Sequence, residues 1–252
     1  MNKLPSLTIF FPFYNEEDNI ERVARLALET APKFADDFEI ILVNDGSLDR
    51  TEAIADRLAE ESPHIRAVHN RPNVGYGGAV RRGFDEATKD YIFFTDGDGQ
   101  FDLNEIDRLI ALLDECDIAV GYRANRADPF MRKVNAWGWR RVIRMFFGVK
   151  VRDIDCAFKL MRRTVVEQLQ GEITSGGATF SAEFLVRAKQ AGFKIAEVPI
   201  VGHRPRVAGN PTGAKLSVIL RAFRELVQVR LALRREAKLV LPKVKRERGT
   251  AV

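Results

Sequence analysis

The sequence is poor in the residues that build disulfide or zinc frameworks: it has two cysteines, Cys116 and Cys156, and three histidines in 252 residues. Their spacing matches no structural zinc site, and so few thiols favour a reducing, cytoplasmic location. No uncharged apolar run approaches the roughly 20 residues that a bilayer-spanning helix requires. The opening residues run directly into a strand-like segment, so we expect no secretory leader.

The positive charge is unevenly distributed. The formal net charge is +5, yet residues 215–252 hold 11 Lys/Arg against 3 Asp/Glu, and residues 121–163 hold 12 Lys/Arg against 3 Asp. A basic amphipathic helix in the tail could lie on an anionic membrane or pack on the rest of the protein. The apolar stripe that supports both readings is Leu216, Ile219, Leu220, Phe223, Leu226 and Val227.

Strand-like and helix-like segments alternate along the chain, which favours a mostly parallel sheet with helices on both faces. The predicted strands are residues 7–13, 38–43, 65–68, 91–94, 117–120, 155–161 and 194–200. A final amphipathic helix is predicted over about 214–239. We therefore expect a catalytic domain over 1–213, divided at about residue 120, and a basic helix and tail over 214–252.

Polar clusters follow three of the predicted strands. Asn15-Glu16, Asn44-Asp45 and the turn Asp96-Gly97-Asp98 each come directly after an apolar run. Ligands of parallel α/β sheets bind outside the carboxyl ends of the strands. One acidic turn alone would be an ordinary loop, but three such strand ends indicate a site, and carboxylates on this face argue against nucleic acid as the ligand.

The turn Asp96-Gly97-Asp98 is the strongest candidate for a cation site. Glycine allows a tight turn in which both carboxylates approach one hard cation, and Gln100 can add a neutral oxygen. Such sites often use one or two carboxylates together with substrate phosphates, so Mg²⁺ or Mn²⁺ is the expected cofactor. A second, weaker signal is the glycine-rich segment 73–80, which precedes a helix as phosphate-binding loops do.

The ordered set of motifs resembles the family-2 glycosyltransferases of the Rossmann-like GT-A fold. The matching segments are FPFYNEE (11–17), VNDGS (43–47), NVGYGGA (73–79) and DGDGQ (96–100). The later part is similar to the branch that transfers hexoses to dolichyl or polyprenyl phosphate. Segments there are GYR (121–123), MRK (131–133), DIDCAFK (153–159) and EVPI (197–200), and the resemblance covers roughly residues 5–220.

The resemblance implies a role for each matching position. Pro12, Tyr14 and Glu16 would line the nucleoside pocket, Asp45 would contact the base or ribose, and Gly75 and Gly97 would lie along the nucleotide-sugar. Asp96, Asp98 and Gln100 would hold the metal at the diphosphate, and Arg123, Arg132 and Arg206 would contact phosphates. Asn44 and Asn135 depart from the pattern, since the family often has aspartate and serine at these positions.

The expected activity is metal-dependent, inverting transfer of a hexosyl group from a UDP- or GDP-linked sugar to a polyprenyl phosphate. The positive charge of the arginines in residues 121–163 favours an anionic acceptor. A phosphate monoester is such an acceptor, and since it is already ionised near pH 7 its reaction needs no general base. The alternative is a hydroxyl of a glycan or small molecule, for which Asp153 or Asp155 would be the candidate base. A lipid acceptor predicts peripheral contact with the cytoplasmic membrane face or a membrane-protein partner.

Overall fold

A computed structural model describes residues 3–124, 138, 141–177, 179–205, 224–233 and 235. The strands are β1 (Leu4–Phe13), β2 (Ala35–Asn44), β3 (Ile65–His69), β4 (Tyr91–Thr95), β5 (Ile118–Arg123), β6 (Phe158–Arg162) and β7 (Ile195–Ile200). The helices are α1 (Ile20–Phe34), α2 (Thr51–Glu61), α3 (Tyr76–Glu86), α4 (Ile106–Ile110), α5 (141–147), α6 (Arg163–Leu169), α7 (Phe180–Gln190) and α8 (224–233).

The seven strands form one sheet in the order β3-β2-β1-β4-β6-β5-β7. Neighbouring strands are parallel except at β6, which runs antiparallel to both β4 and β5. The predicted mostly parallel α/β sheet is therefore confirmed. All seven predicted strands exist, and β6 begins three residues later than expected, at Phe158.

Side chains of the central strands alternate between two hydrophobic cores, one on each face of the sheet. In β1, Phe10 points into a core shared with α3, α6 and α7, while Ile9 and Phe11 point into a core shared with α1, α2 and α4. Covering both faces removes the sheet from water, so polar groups collect at the strand ends.

Helix α3 lies very close to β1, and this places the glycine-rich segment at the sheet edge. A β-carbon added to Gly83 would lie 2.3 Å from the Phe10 ring. The Phe10 ring itself stacks on Phe94 with centroids 5.5 Å apart and meets Phe84 edge-on. The close packing thus connects the helix after the glycine-rich loop to the two central strands.

The described part of the C-terminal helix packs on the domain. Leu226, Val229 and Leu233 of α8 are buried in the first core, whereas Val227 and Leu231 remain about half exposed. The buried face of this stretch differs from the apolar stripe predicted from the sequence, because Val227 belongs to that stripe but points outward. The predicted boundary at residues 213 and 214 lies outside the described residues. Within the described part of the chain, no helix is long and apolar enough to cross a bilayer.

We expect Gly83→Ala to lower the free energy of unfolding by about 1–3 kcal/mol, because the new methyl group displaces the buried Phe10 ring. Arg82→Ala is the matched control at the adjacent exposed position, with an expected change within about 0.5 kcal/mol for its surface pair with Glu86. Urea unfolding of both variants measures the difference, and equal stabilities would contradict the close packing.

Candidate functional site

The Asp96-Gly97-Asp98 turn leaves the end of β4 and is wedged between two side chains of neighbouring elements. A β-carbon on Gly97 would lie 2.3 Å from the Phe13 ring at the end of β1. One on Gly99, whose φ is +68°, would lie 2.1 Å from the Arg22 guanidinium of α1. Gly97 is therefore required by space, and Gly99 is required by its left-handed backbone conformation.

The environment of the turn disfavours the charged form of both of its carboxyls. Burial, together with the charge of Asp98, raises the pKa of Asp96 to about 7, although the hydroxyl of Tyr76 donates a hydrogen bond that opposes this rise. Burial also raises the pKa of Asp98, against the backbone N–H of Gln100, 3.1 Å from Oδ1, and the charge of Arg22. Both carboxyls therefore favour the approach of positive charge.

A buried lysine contributes one such charge. Lys159, at the start of β6, is completely inaccessible to solvent, and its ammonium donates to the carbonyl oxygens of Cys156 and Ile154. Burial lowers the pKa of Lys159, while the charges of Asp155, Asp153 and Asp96 act in the opposite direction. The ammonium lies 5.4 Å from the centroid of the Phe94 ring in β4. This lysine thus joins the segment before β6 to the end of β4.

A divalent cation fits the donor chemistry of this turn. Two mutually repelling carboxylates and the amide oxygen of Gln100 are hard oxygen donors of the kind that Mg²⁺ and Mn²⁺ prefer. The adjacent Thr95 hydroxyl is buried and lacks a hydrogen-bond partner among the described residues. In the same part of the chain, no group of three or more His, Cys, Asp and Glu side chains is arranged around one metal position.

Arg123, at the end of β5, is held by a buried carboxylate. Its Nε lies 2.7 Å from Asp153 Oδ2 and its Nη2 lies 2.9 Å from Oδ1, while its backbone N–H also donates to Oδ2 at 3.3 Å. The paired geometry fixes the plane of the guanidinium. The charge of Arg123 lowers the pKa of both Asp96 and Asp98, so this guanidinium acts on the Asp96-Gly97-Asp98 turn (the cation turn, after its candidate role).

Asp45 binds the glycine-rich segment. Its Oδ1 accepts from the Val74 N–H at 3.0 Å and from the Asn70 amide at 3.0 Å, and its Oδ2 accepts from the Gly75 N–H at 2.9 Å. Gly75 has a φ of +81° and precedes α3 directly. These bonds give Asp45 and Gly75 a structural duty beside the predicted contact with the nucleotide, because they fix the loop against the end of β2.

The loops after β1 and β2 interlock. The Asn15 N–H donates to the Ser47 hydroxyl at 2.9 Å, the Leu48 N–H donates to Asn15 Oδ1 at 2.8 Å, and the Glu16 N–H donates to the Thr51 hydroxyl at 2.9 Å. Asn15 itself has a positive φ of 54°. The two loops therefore form one surface beside Asp45.

The three predicted nucleoside-pocket residues lie on and beside this surface. Pro12 pairs with Val43 within the sheet, Tyr14 is 45% exposed, and a Glu16 carboxylate oxygen accepts from Asn19 at 2.7 Å. Tyr14 thus presents an accessible aromatic ring of the type on which a base can stack.

Asn44, which departs from the family pattern, is completely buried in a polar network. Its Oδ1 accepts from the Ser47 N–H at 3.1 Å, and its amide nitrogen lies 3.2 Å from Glu52 Oε2 and 3.2 Å from His69 Nδ1. The neutral amide therefore satisfies the turn and the start of α2. A carboxylate at this position would face Glu52 as a like charge.

The structure places some of the predicted site residues together and leaves others undescribed. Asp96, Asp98, Gln100 and Arg123 lie around the ends of β4 and β5. Arg132 and Arg206 lie outside the described residues, as does Asn135.

Three side chains were not predicted as site residues: Arg22, Tyr76 and Lys159. Tyr76 and Lys159 lie within the motif segments, so the signal was present, whereas nothing in the sequence around Arg22 connects it to the cation turn.

Comparisons with known proteins place the chain among sugar transferases. It is 35% identical over 204 residues to glycosyltransferase AglD of Haloferax volcanii, covering 77% of this chain and 32% of AglD. It is 30% identical to polyprenol monophosphomannose synthase of Mycolicibacterium smegmatis, covering 76% of this chain and 75% of that protein. Dolichyl-phosphate beta-glucosyltransferase of Saccharomyces cerevisiae is 26% identical, with 90% and 74% covered. The chain thus spans about a third of the length of AglD.

Solved structures share the fold. Glucosyl-3-phosphoglycerate synthase from Mycobacterium tuberculosis, in complex with phosphoglyceric acid, superposes with a TM-score of 0.69 over 90% of this chain and 79% of that chain. The sequence identity is 20%. The same enzyme has been solved with Mn²⁺, uridine diphosphate and glucosyl-3-phosphoglycerate, and its TM-score is then 0.67 at 18% identity. This similarity identifies the GT-A fold.

The family assignment follows from the sequence itself. Residues 8–170 match the profile of Glycosyl transferase family 2, which extends from within β1 to the end of α6. The chain is therefore a glycosyltransferase with a GT-A fold, and it belongs to glycosyl transferase family 2.

Proposed function

We propose that this protein transfers a hexosyl group from a UDP- or GDP-linked sugar to a polyprenyl phosphate, with inversion at the anomeric carbon. Relatives named for this chemistry include the monophosphomannose synthase and the dolichyl-phosphate glucosyltransferase. Dodecaprenyl-phosphate galacturonate synthase of Rhizobium johnstonii is also 32% identical over 173 residues. The observation that carries the proposal is the anchored guanidinium of Arg123 beside the cation turn.

The donor diphosphate is assigned to the cation turn. Asp96, Asp98 and Gln100 would hold Mg²⁺ or Mn²⁺, and the bound cation would neutralise the charge that develops on the leaving nucleoside diphosphate. The nucleoside is assigned to Pro12, Tyr14 and Glu16, at the end of β1 and just after it. Asp45 and Gly75 shape this pocket through the loop that they hold together, and Gly97 keeps the turn narrow.

The acceptor phosphate is assigned to Arg123. A guanidinium fixed in its plane by Asp153 keeps donors that suit a planar, multidentate phosphate contact. Arg132 and Arg206 are proposed as further phosphate contacts. A phosphate monoester, with a second pKa of about 6, is already a nucleophile near pH 7. Asp153 is then a positioning residue for Arg123, because both of its oxygens accept hydrogen bonds from that guanidinium.

Membrane contact is proposed on the side of α5 and α8. The guanidinium of Arg230 in α8 lies 5.8 Å from the Phe147 ring of α5, so the two helices are neighbours. Exposed apolar side chains on them are Met145 at 75%, Phe146 at 36%, Val227 at 51% and Leu231 at 47%. Together with the basic residues of 215–252, such a surface suits peripheral attachment to an anionic membrane.

A hydroxyl acceptor is the alternative, and one observation favours it. The structurally similar mycobacterial enzyme is described in complex with phosphoglyceric acid, a small acceptor that carries both a phosphate and a hydroxyl. Arg123 would suit the phosphate of such a molecule equally well. This alternative requires a general base, and Asp155 is the remaining carboxylate of the segment before β6.

The acceptor class is decided by assaying the protein with Mn²⁺ or Mg²⁺ against a panel of nucleotide-sugars, with and without a polyprenyl phosphate in detergent. We expect release of nucleoside diphosphate to depend on the lipid phosphate and to yield a glycolipid product. The non-phosphorylated polyprenol is the matched control and should support no turnover. Turnover only with hydroxyl acceptors such as phosphoglyceric acid would overturn the lipid assignment.

We expect Asp98→Ala to reduce kcat/KM with the nucleotide-sugar by at least about a hundredfold, because a cation ligand at the leaving group is lost. Asp114→Ala removes an exposed carboxylate and is the matched control. Initial-rate kinetics measure the loss, and thermal unfolding confirms that both variants are folded. Unchanged turnover in Asp98→Ala would refute the cation assignment.

Cation affinity should depend on pH through Asp96. Its pKa of about 7 means that the cation-free carboxyl keeps its proton in mildly acidic solution, so proton and cation compete. We expect the Mn²⁺ dissociation constant to rise about tenfold per pH unit below 7, and more steeply where Asp98 also takes a proton, and to stay level above 7.

Electron paramagnetic resonance titration of free Mn²⁺ measures this constant across pH. The groups that face Asp96 are Asp98, Tyr76, Lys159 and Arg123. Asp96→Asn keeps the hydrogen bond from Tyr76 and should bind Mn²⁺ more weakly with a flatter pH profile. A wild-type constant that does not change between about pH 5.5 and 8 would contradict the raised pKa.

A further inference from the structure

We propose that Gln100 couples the cation turn to the segment after β7, residues 201–205, so that a cation bound at the turn holds Arg204 in place. We name this segment the β7 extension. The inference rests on the proposed cation site and adds to it a connection between the donor side and a second arginine. The sequence motif predicts Gln100 only as a metal ligand, and Arg204 belongs to no predicted site.

The coupling consists of a reciprocal pair of hydrogen bonds. The backbone N–H of Arg204 donates to the carbonyl oxygen of Gln100 at 2.7 Å, and the side-chain Nε2 of Gln100 donates to the carbonyl oxygen of Arg204 at 2.8 Å. The second bond fixes the orientation of the amide, because only Nε2 can donate. Oε1 is then the atom that the same amide offers to a cation.

Gln100 is also attached to the cation turn through its main chain. Its backbone N–H donates to Asp98 Oδ1 at 3.1 Å. One residue therefore contacts an acid of the turn with its main chain and the β7 extension with its side chain and its carbonyl oxygen. A change at the turn that moves Gln100 must change the hydrogen bonds to Arg204.

A second attachment fixes the other end of the β7 extension. The Glu105 carboxylate is 8% exposed and accepts from the backbone N–H of Val201 at 3.1 Å and of Gly202 at 2.8 Å. A β-carbon on Gly202 would lie 2.7 Å from the Asp102 β-carbon, so this approach requires glycine. The extension therefore lies against residues 98–105 along its length.

The chemistry of an amide gives the coupling its direction. A cation on Oε1 withdraws electron density from the amide and makes its N–H groups stronger donors, and hydrogen bonds that share a group strengthen one another in this way. Cation binding should therefore shorten the lifetime of open states at Arg204. Since coupling between two sites is reciprocal, a loosened β7 extension should also weaken cation binding.

The coupling restricts the position of the Arg204 guanidinium. It is 73% exposed and lies 3.9 Å from the Asp102 carboxylate. When the main chain of Arg204 is held, its guanidinium can reach fewer positions. Its interaction with a phosphate near the turn is then favoured over interaction with a phosphate in bulk solvent. Arg204 is thus a positioning element whose order depends on the loaded state of the donor site.

The first test uses hydrogen–deuterium exchange with mass spectrometry of the peptide that contains residues 201–205, with and without saturating Mn²⁺ and uridine diphosphate. In the wild type we expect these ligands to slow exchange in this peptide about tenfold. Gln100→Glu keeps an oxygen ligand and loses the Nε2 donor, so it should bind Mn²⁺ but show no slowing. Asp114→Asn is the surface control and should behave as the wild type.

The second test loosens the β7 extension without touching a proposed cation ligand. Glu105→Gln replaces one acceptor oxygen by a donor, so exchange at residues 201–202 should be faster. The Mn²⁺ dissociation constant from electron paramagnetic resonance should rise at least threefold, which a purely structural role would not cause. Thermal unfolding checks that Glu105→Gln is folded. If it is not, the exchange measurements on Gln100→Glu still test the coupling.

Absence of the cation site and absence of the coupling would give different results. A wild-type protein that does not bind Mn²⁺ overturns the cation site and the coupling with it. Mn²⁺ binding with no change in exchange at residues 201–205 overturns the coupling alone. The same conclusion follows if Gln100→Glu shows the wild-type slowing, or if Glu105→Gln binds Mn²⁺ as tightly as the wild type.

Discussion

The burial of Asp96 and Asp98 on one narrow turn is the constraint on which the site depends. Burial disfavours the charged form of both carboxyls, the charge of Asp98 adds to this effect at Asp96, and the protein counters it with positive groups from three separate elements: Arg22 of α1, Arg123 of β5 and Lys159 of β6. None of these countercharges is adjacent to the turn in sequence. The turn therefore exists in this form only within the assembled sheet, where positive groups from distant parts of the chain stabilise its buried carboxylates.

The sequence predicted the sheet well because strand and helix periods are local signals. It also predicted that the polar residues after Phe13, Val43 and Phe94 share one edge of the sheet, because the carboxyl ends of parallel strands lie together. What it missed depends on distant contacts. Neither the bond from Gln100 to Arg204 nor the approach of Arg22 to Gly99 follows from any local pattern.

The same limit applies to roles carried over from a family. Asp45 was predicted to contact the base or ribose, and its carboxylate is found holding Val74, Gly75 and Asn70. Both oxygens of Asp153, a candidate base from sequence, bind the Arg123 guanidinium. A motif residue can both bind a ligand and hold a loop in place. Its position in the motif does not separate these two kinds of contact, whereas the folded structure does.

The antiparallel strand β6 has a consequence for how the protein can be divided. It lies between β4 and β5, so a strand from the later half of the chain completes the sheet around strands of the earlier half. A fragment ending near residue 120 would leave the apolar strand β4 as an unpaired edge, and such edges recruit other chains into aggregates. Exchanging halves between relatives to alter acceptor choice would therefore need to carry β6 with its donor-side neighbours.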